Sequence, residues 1–589
     1  MRNLRVFWPQ EVSSVGFVIG WLHEDSIVVA DVVEDKDPHT LLRDSLIDNE
    51  KWLELEPSCH NAPGILGQSV AEGEGVRLRW SDDITTGTQF STVYYKRPSL
   101  YHMRFYSVSS LNLDITISEH EKILIGDSKD TLRCDAIFET LRPIPKSSHL
   151  LSIVCQLNAS GIIAEALQRK APSNQRPTSR HKVALPRLPV VVRQCMRWLV
   201  ESSIRICGLS ASLFDSTIRL KDVSATVQQV DVRLEQFSFF PSQIALISTR
   251  SRRDIATFSA QYINFFNNAW LIFNDVVVGI AVGAILSENH VYFGKLLYTY
   301  TELWTIEHLI TALRWLDDWP VGLKLNTNLS RALSLSFITL TTIWSRLLRP
   351  LGPHFPHLVY FLGISGWSGL TMILSLSSDM VSLLTIHIYL SYLAATTVCR
   401  RIIITAGSLW NLFRGKRYNV LQQRLDSWDY SLDQLLLGTM LFTLVTFLSP
   451  TIVVYYALFS GARLAVIMMH AGLETLLAFM NHFPLFVLML RVKDSQRLPG
   501  GIILIPGRRD HESRAVNLKL ENTPIPFSGI FFQHLLLWGR VSSHYHPIRL
   551  LRHVASATII NPIPRYSIRY SMLPIGSFGT KRAEKIKTS

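Results

Sequence analysis

Residues 400–450 read RRIIITAGSLWNLFRGKRYNVLQQRLDSWDYSLDQLLLGTMLFTLVTFLSP, a basic, aromatic-bearing segment that passes directly into an apolar run long enough to enter a bilayer. Six cations, Arg400, Arg401, Arg414, Lys416, Arg417 and Arg424, stand among Trp410, Tyr418, Trp428 and Tyr430. Cations beside a membrane helix favour anionic lipid, and amphipathic rings anchor at headgroup level. The segment is therefore expected at the cytoplasmic headgroup layer. Arg414, Lys416, Arg417 and Arg424 are the candidates for holding inositol phosphate or nucleotide phosphate, because guanidinium groups suit phosphate oxygens. The plainer reading of the same charges is a positive-inside anchor on anionic lipid.

Outward from this connector the chain divides into unlike parts. Its 589 residues exceed what one core normally holds. Residues 1–170 hold short runs, among them VGFVIGWL, SIVVADVV, VRLRW, STVYYK and LLSIVCQL, whose alternation and β-branched content predict a cytosolic β-rich α+β domain. APSNQRPTSRHK (171–182) reads as a linker. Residues 183–255 carry helical spacing and form a juxtamembrane segment. Residues 256–491 predict a polytopic helical membrane domain of about six spans, at 262–286, 329–348, 358–376, 381–399, 435–458 and 464–490, the last with a kink at Pro484. KLLYTYTELWTIEHLITALRWLDDWP (295–320) is too charged to span and reads as an interfacial amphipathic helix. Residues 492–589 form a cytosolic C-terminal region with a basic tail.

Loop charges agree with six spans and cytosolic termini. Arg250, Arg252 and Arg253 precede the first span, Arg346 and Arg349 follow the second, the connector follows the fourth, and Arg491, Lys493 and Arg497 follow the sixth. SSDM and FSGA, on the opposite side, are nearly uncharged. The net charge of +13 thus serves topology, and no nucleic-acid partner is expected. Six cysteines are scattered without a C-x-x-C pair, which indicates neither a disulfide framework nor a zinc site. Pro9, Gln10 and Glu11 interrupt what a signal peptide needs as an apolar core. Lys585 and Lys587 resemble the dilysine signal that returns membrane proteins to the endoplasmic reticulum; a solvated basic tail is the alternative.

Ionisable groups at membrane depth are costly and invite a functional hypothesis. They are Asp275, His387, His470 and Glu474, with Asp379 at a helix edge. Asn264, Asn267, Asn268, Asn274 and Asp275 form one polar stripe on the first span. His470 and Glu474 share a helix face at i and i+4, which suits a proton relay or, more plainly, polar glue between helices or subunits. Gly363, Gly366 and Gly369, with Ser365 and Ser368, offer a small-residue surface for close helix approach. A sugar-nucleotide transferase acting alone needs a glycine-rich loop between strand and helix and an acidic pair. LPGGIILIPG and EGEG lack that context, so no catalytic residue, metal or cofactor is assigned.

NLFRGKRYNVLQQRLDSWDYSLDQLLLGTMLF (411–442) resembles the signature of the PIG-Q family, a subunit of the phosphatidylinositol N-acetylglucosaminyltransferase that begins glycosylphosphatidylinositol (GPI) anchor synthesis. NNAWLIFNDVVVGIAVG, WPVGLKLNTNLSRALS and SLSSDMVSLLTIHIYLSY are similar to further family segments, whereas FFPSQ (239–243) departs from the family's tryptophan-proline pattern. The resemblance implies a multisubunit complex at the cytoplasmic face of the endoplasmic reticulum, moving N-acetylglucosamine from its UDP donor to phosphatidylinositol. It implies catalysis on another subunit, PIG-A, a scaffolding role here, and PIG-C, PIG-H, PIG-P and PIG-Y as companions. A membrane transporter or lipid scramblase using the intramembrane Asp, His and Glu is the alternative.

Overall fold

The structure, a computed structural model, describes residues 2–12, 15–23, 25–34, 37–47, 62–72, 75–80, 88–99, 102–108, 111, 148–170, 224–249, 255–318, 322, 325–419, 422–506, 518–531, 534–535, 538–539, 541–542 and 545–560. Six strands come from the N-terminal region: β1 (Arg2–Pro9), β2 (Gly16–Leu22), β3 (Ser26–Val33), β4 (Gly64–Glu72), β5 (Gly75–Trp80) and β6 (Thr88–Tyr95), with helix α1 (Pro38–Ile47) after β3. Two more, β9 (Pro499–Pro506) and β10 (Leu518–Pro524), return from beyond the helices to complete an eight-stranded mixed sheet of order β5-β4-β2-β3-β1-β6-β10-β9. β1 runs parallel to both β3 and β6, and β10 runs parallel to β6.

Central β3 shows the pleat at work. Val28 and Ala30 face a core shared with helix α2 (Ser148–Lys170), while Ile27 and Val29 face the opposite one with Leu4, Val6 and Val18. The expectation of a strand at LLSIVCQL fails here, because the residues lie inside α2. Ile153, Leu157 and Leu167 recur at helical spacing against the sheet, a period that an eight-residue window conceals.

The helical region contains α3 (Ala225–Thr249), α4 (Ile255–Glu288), α5 (His290–Glu302), α6 (His308–Asp317), α7 (Thr327–Leu348), α8 (Phe355–Ser365), α9 (Leu370–Leu384) and α10 (Ile386–Phe413). The hairpin β7 (Lys416–Asn419) and β8 (Arg424–Ser427) leads to α11 (Leu432–His482) and α12 (Leu485–Lys493), and α13 (Phe527–Ile530) and α14 (Pro547–Ala555) close the described chain. A π-helical turn, Leu303–Glu307, joins α5 to α6.

Six spans do not form. Among the described residues three helices are long and apolar enough to cross a membrane, or four if α9 and α10, bent by 52°, make one broken span. One of the three, Leu150–Leu167 of α2, is mostly buried, and its apolar side is spent on the sheet. Residues 358–376 are not a rod, because the chain turns at Gly366–Gly369. Phe355, opening α8, and Leu384, closing α9, meet in one core with Ile306 and Leu348, so α8 and α9 are the arms of a helical hairpin. The segment 329–348 is helical within α7, yet it carries Arg331 and Arg346 and buries a hydroxyl-bearing face of Ser330, Ser334, Thr341 and Ser345. The spans expected at 435–458 and 464–490 are mostly one helix, α11, of 51 residues. The lumenal turn expected at FSGA is absent: Phe459 and Ser460 are buried mid-helix. One glycine costs a helix about 1 kcal/mol, too little to end it against that packing. The chain breaks instead at Phe483–Pro484, where proline removes a donor.

Candidate functional site

The tip of the α8–α9 hairpin is met by polar side chains from three other helices. Asp275, on α4, accepts the Thr371 N–H at 3.1 Å through Oδ1 and the Thr371 hydroxyl at 2.9 Å through Oδ2. Arg233, on α3, pairs with the same Oδ2 and donates to Thr371 Oγ1 at 2.8 Å and to Gln236 at 2.9 Å. Gln229 donates to Thr371 Oγ1 at 3.0 Å and exchanges two amide bonds of 3.0 Å with Asn481 of α11. Asp275, Arg233, Gln229, Thr371 and Asn481 are all buried. The Asp275 carboxylate occupies the N-terminus of α9, where unpaired N–H groups and the helix dipole favour an anion. Gly369, just before it, has φ +118°, and a Cβ there would collide with that carboxylate.

The hairpin reaches this depth because backbones touch. Gly279 and Gly283 of α4 lie against Gly363, Gly366 and Gly369, and a Cβ at Gly363 would fall 2.8 Å from the Gly283 carbonyl oxygen. At Gly294, on α5, a Cβ would stand 2.6 Å from Pro356 Cα. The expected small-residue surface thus faces a second one, Gly279-x-x-x-Gly283, whose small-x-x-x-small spacing is legible in the sequence. Arg233 had a weaker signal, a lone cation near the apolar face of VQQVDVRLEQF.

The remaining candidates are dispersed. Asp379 caps α3: it accepts the Ser224 hydroxyl at 2.6 Å and the N–H groups of Ala225 and Thr226 at 2.7 and 2.9 Å. His387 bonds the Thr305 carbonyl at 2.9 Å and stacks on Trp344. His470 meets Ser378 and Ser382 of α9 at 3.2 and 3.3 Å, and Glu474 is buried one turn further along α11. Asn264, Asn268 and Asn274 are half-buried on α4. Asn267 accepts the Phe486 N–H at 3.1 Å, which satisfies the start of α12 after the Pro484 break. Asn274 and Asp275 line a cleft of about 160 Å³ with Leu271, Phe479 and Leu485. Lys585 and Lys587 lie outside the described residues.

The basic connector is a helix end capped by a β-hairpin. Arg414 closes α10, Gly415 turns the chain at φ +61°, and Lys416–Asn419 pairs with Arg424–Ser427. Arg417 lies over the Trp428 ring at 5.0 Å, and exposed Arg424 pairs with Asp426 at 2.8 Å. The Asn419 amide, then Arg424, hold the Asp426 carboxyl below the usual carboxylate range. Lys416, Arg417 and Arg424 are therefore carried on one hairpin with Arg414 at its base, but Asp426 lies on β8 opposite Arg417, and Asp429 and Asp433 follow β8 on the base side. Arg400 and Arg401 are not part of it: α10 places them about four turns earlier. Against the hairpin's base, Leu412 packs on Gly438 and Phe413 on Phe442.

A family model described as "N-acetylglucosaminyl transferase component (Gpi1)" matches residues 227–500, a range that holds Arg233, Asp275, Thr371, Asn481 and the basic hairpin. The chain is similar to "Phosphatidylinositol N-acetylglucosaminyltransferase subunit GPI1" of Saccharomyces cerevisiae, 30% identical over 524 residues, which cover 82% of this chain and 85% of that one. It is 38% identical over 355 residues to the "N-acetylglucosaminyl-phosphatidylinositol biosynthetic protein gpi1" of Schizosaccharomyces pombe, covering 59% of this chain and just over half, 54%, of that protein. Over 238 residues it is 36% identical to "Phosphatidylinositol N-acetylglucosaminyltransferase subunit Q" of Mus musculus, 40% of each chain. No solved structure matches.

Proposed function

Since the chain belongs to the Gpi1/PIG-Q family, we propose that it is a membrane subunit of the complex that transfers N-acetylglucosamine to phosphatidylinositol at the start of GPI-anchor synthesis. Its role is to scaffold a catalytic subunit of the PIG-A kind, with PIG-C, PIG-H, PIG-P and PIG-Y-like companions, in the endoplasmic reticulum membrane. The observation that carries the assignment is the match along 82% of the chain to a subunit of that name. What favours a scaffold is the use made of the buried polar groups. Asp275 and Asp379 each bind the N-terminus of another helix, and His387 and His470 bond neighbouring elements, so these groups are engaged in holding helices together.

Arg414, Lys416, Arg417 and Arg424 stand at the lipid headgroup layer near the partner's active site. Arg414→Glu with Arg417→Glu, assayed in the intact purified complex, should lower product formation without releasing subunits; full activity removes the headgroup role. The purified chain alone should make no glucosaminylated lipid, and product from it would overturn the scaffold reading. One observation favours a transporter or scramblase: α9 and α10 make one broken helix, and polar groups gather at the start of α9. Lipid flipping by the chain in vesicles, lost on Asp275→Asn, would establish that reading instead.

A further inference from the structure

We propose that α14 and the Arg400–Arg401 turn of α10 form one cationic collar that seats on the headgroup layer of an anionic bilayer, separately from the basic hairpin. The nine residues of α14, PIRLLRHVA, have two distinct faces. At about 100° per residue Leu551, Ala555 and Ile548 fall together, Arg552 and then Arg549 adjoin Ile548 on one flank, and Val554 and then Leu550 adjoin Leu551 on the other. Ile548 and Leu551 are 66% and 68% exposed, whereas Val554 packs into the core of α6, α7, α10 and α11. That inner face is fixed. Tyr456 donates its hydroxyl to the Val554 carbonyl at 3.0 Å, and the Ile560 N–H donates to the Tyr392 hydroxyl at 3.0 Å.

Cys399 and Ala557 are buried in that same core, so exposed Arg400 and Arg401 leave it on α10 as Arg549 and Arg552 leave it on α14. Ile403 and Ile404, 42% and 55% exposed, continue the apolar surface on the α10 side. Neither α10 nor α14 contains an aspartate or glutamate. Aliphatic side chains standing out of a core, edged by guanidinium groups with no acid on either helix, complement acyl chains below phosphate: the alkyl stems bury and the charges reach the headgroups. The inference rests on the membrane character of the chain and is independent of which reaction the complex performs.

The test uses the full chain in phosphatidylcholine vesicles with and without phosphatidylserine. A bimane label on Leu551→Cys should be quenched by a lipid carrying a shallow doxyl group, and a label on His553→Cys by aqueous iodide. Equal iodide quenching at both positions overturns the proposal, as does shielding of Leu551→Cys from both quenchers, which means that protein covers it. Arg549→Gln with Arg552→Gln should weaken selection of phosphatidylserine over phosphatidylcholine by about fivefold per arginine, equivalent to ~1 kcal/mol each. Unchanged selectivity overturns the charge complementarity. All three variants leave the Tyr456–Val554 bond in place, and an unaltered thermal unfolding curve separates their effect from misfolding.

Discussion

Thr371 is fully used: its hydroxyl donates to Asp275 and accepts from Arg233 and Gln229, which is all the hydrogen bonding a hydroxyl can do. Around it the buried Arg233–Asp275 pair has the energetics of coupled charges. Removing one partner leaves the other uncompensated, typically at 3–5 kcal/mol, whereas removing both costs less. Arg233→Met is therefore expected to destabilise the detergent-solubilised protein by about 3 kcal/mol or more. Adding Asp275→Asn should restore part of that loss, because asparagine still accepts the Thr371 N–H without a stranded charge. A double-mutant cycle on thermal unfolding checks this, and strictly additive losses would show that the pair is not coupled.

Two helix starts receive a carboxylate from another element. Asp379 adds to the local cap of α3, in which the Ser224 hydroxyl accepts the Val227 N–H at 3.3 Å, and Asp275 caps α9 from α4, so each carboxylate ties the position of one helix to another. Asp379→Ala should cost about 1–2 kcal/mol, the usual range for a lost cap. Hydrogen exchange should quicken first at Ala225 and Thr226, whose N–H groups lose their acceptor, with little change at the far end of α3. Uniform exchange along α3 would mean that Asp379 holds a whole interface. At α11 the expectation concerns Ser460, 2% exposed inside a continuous helix. Ser460→Cys should resist a water-soluble maleimide from either side of the membrane, whereas rapid labelling would restore a turn at FSGA.

At the scale of the molecule the sheet and the helices are locked by a few polar contacts over an apolar seam. Arg104, after β6, bonds Asp494, at the end of α12, at 2.9 Å, beside a core of Phe105, Ile263, Val487 and Ile525. Burial alone would raise the Asp494 carboxyl, but Arg104, Arg497 and the Gln496 N–H outweigh it and hold it below the ordinary range. A depressed carboxyl contributes stability that is complete above its unfolded value and is lost as pH falls through its folded one. The seam should thus be insensitive near neutrality and loosen only in acid, below about 3.9. Asp494→Asn should remove that acid step from limited proteolysis between sheet and helices. The effect at neutral pH should be small, within ~1 kcal/mol, since Arg104 is substantially exposed.

What could be read from the residues was local or cumulative. The β-branched content of SIVVADVV, the apolar length of residues 262–286, and the ordered family-like segments each lie within a window of the chain, and windows carry period and composition. The glycines at Gly363, Gly366 and Gly369 announced close packing for the same reason. Tertiary structure alone decided that α8 and α9 fold back on each other, that α11 runs through FSGA, that Arg233 finds Asp275, and that β10 closes a sheet begun at Arg2. Each of these depends on a contact between residues distant along the chain. A glycine can end a helix or lie inside one, and an apolar run can face lipid, a sheet or a neighbouring helix. The free energy that separates those outcomes resides in the partner, which no stretch of sequence contains.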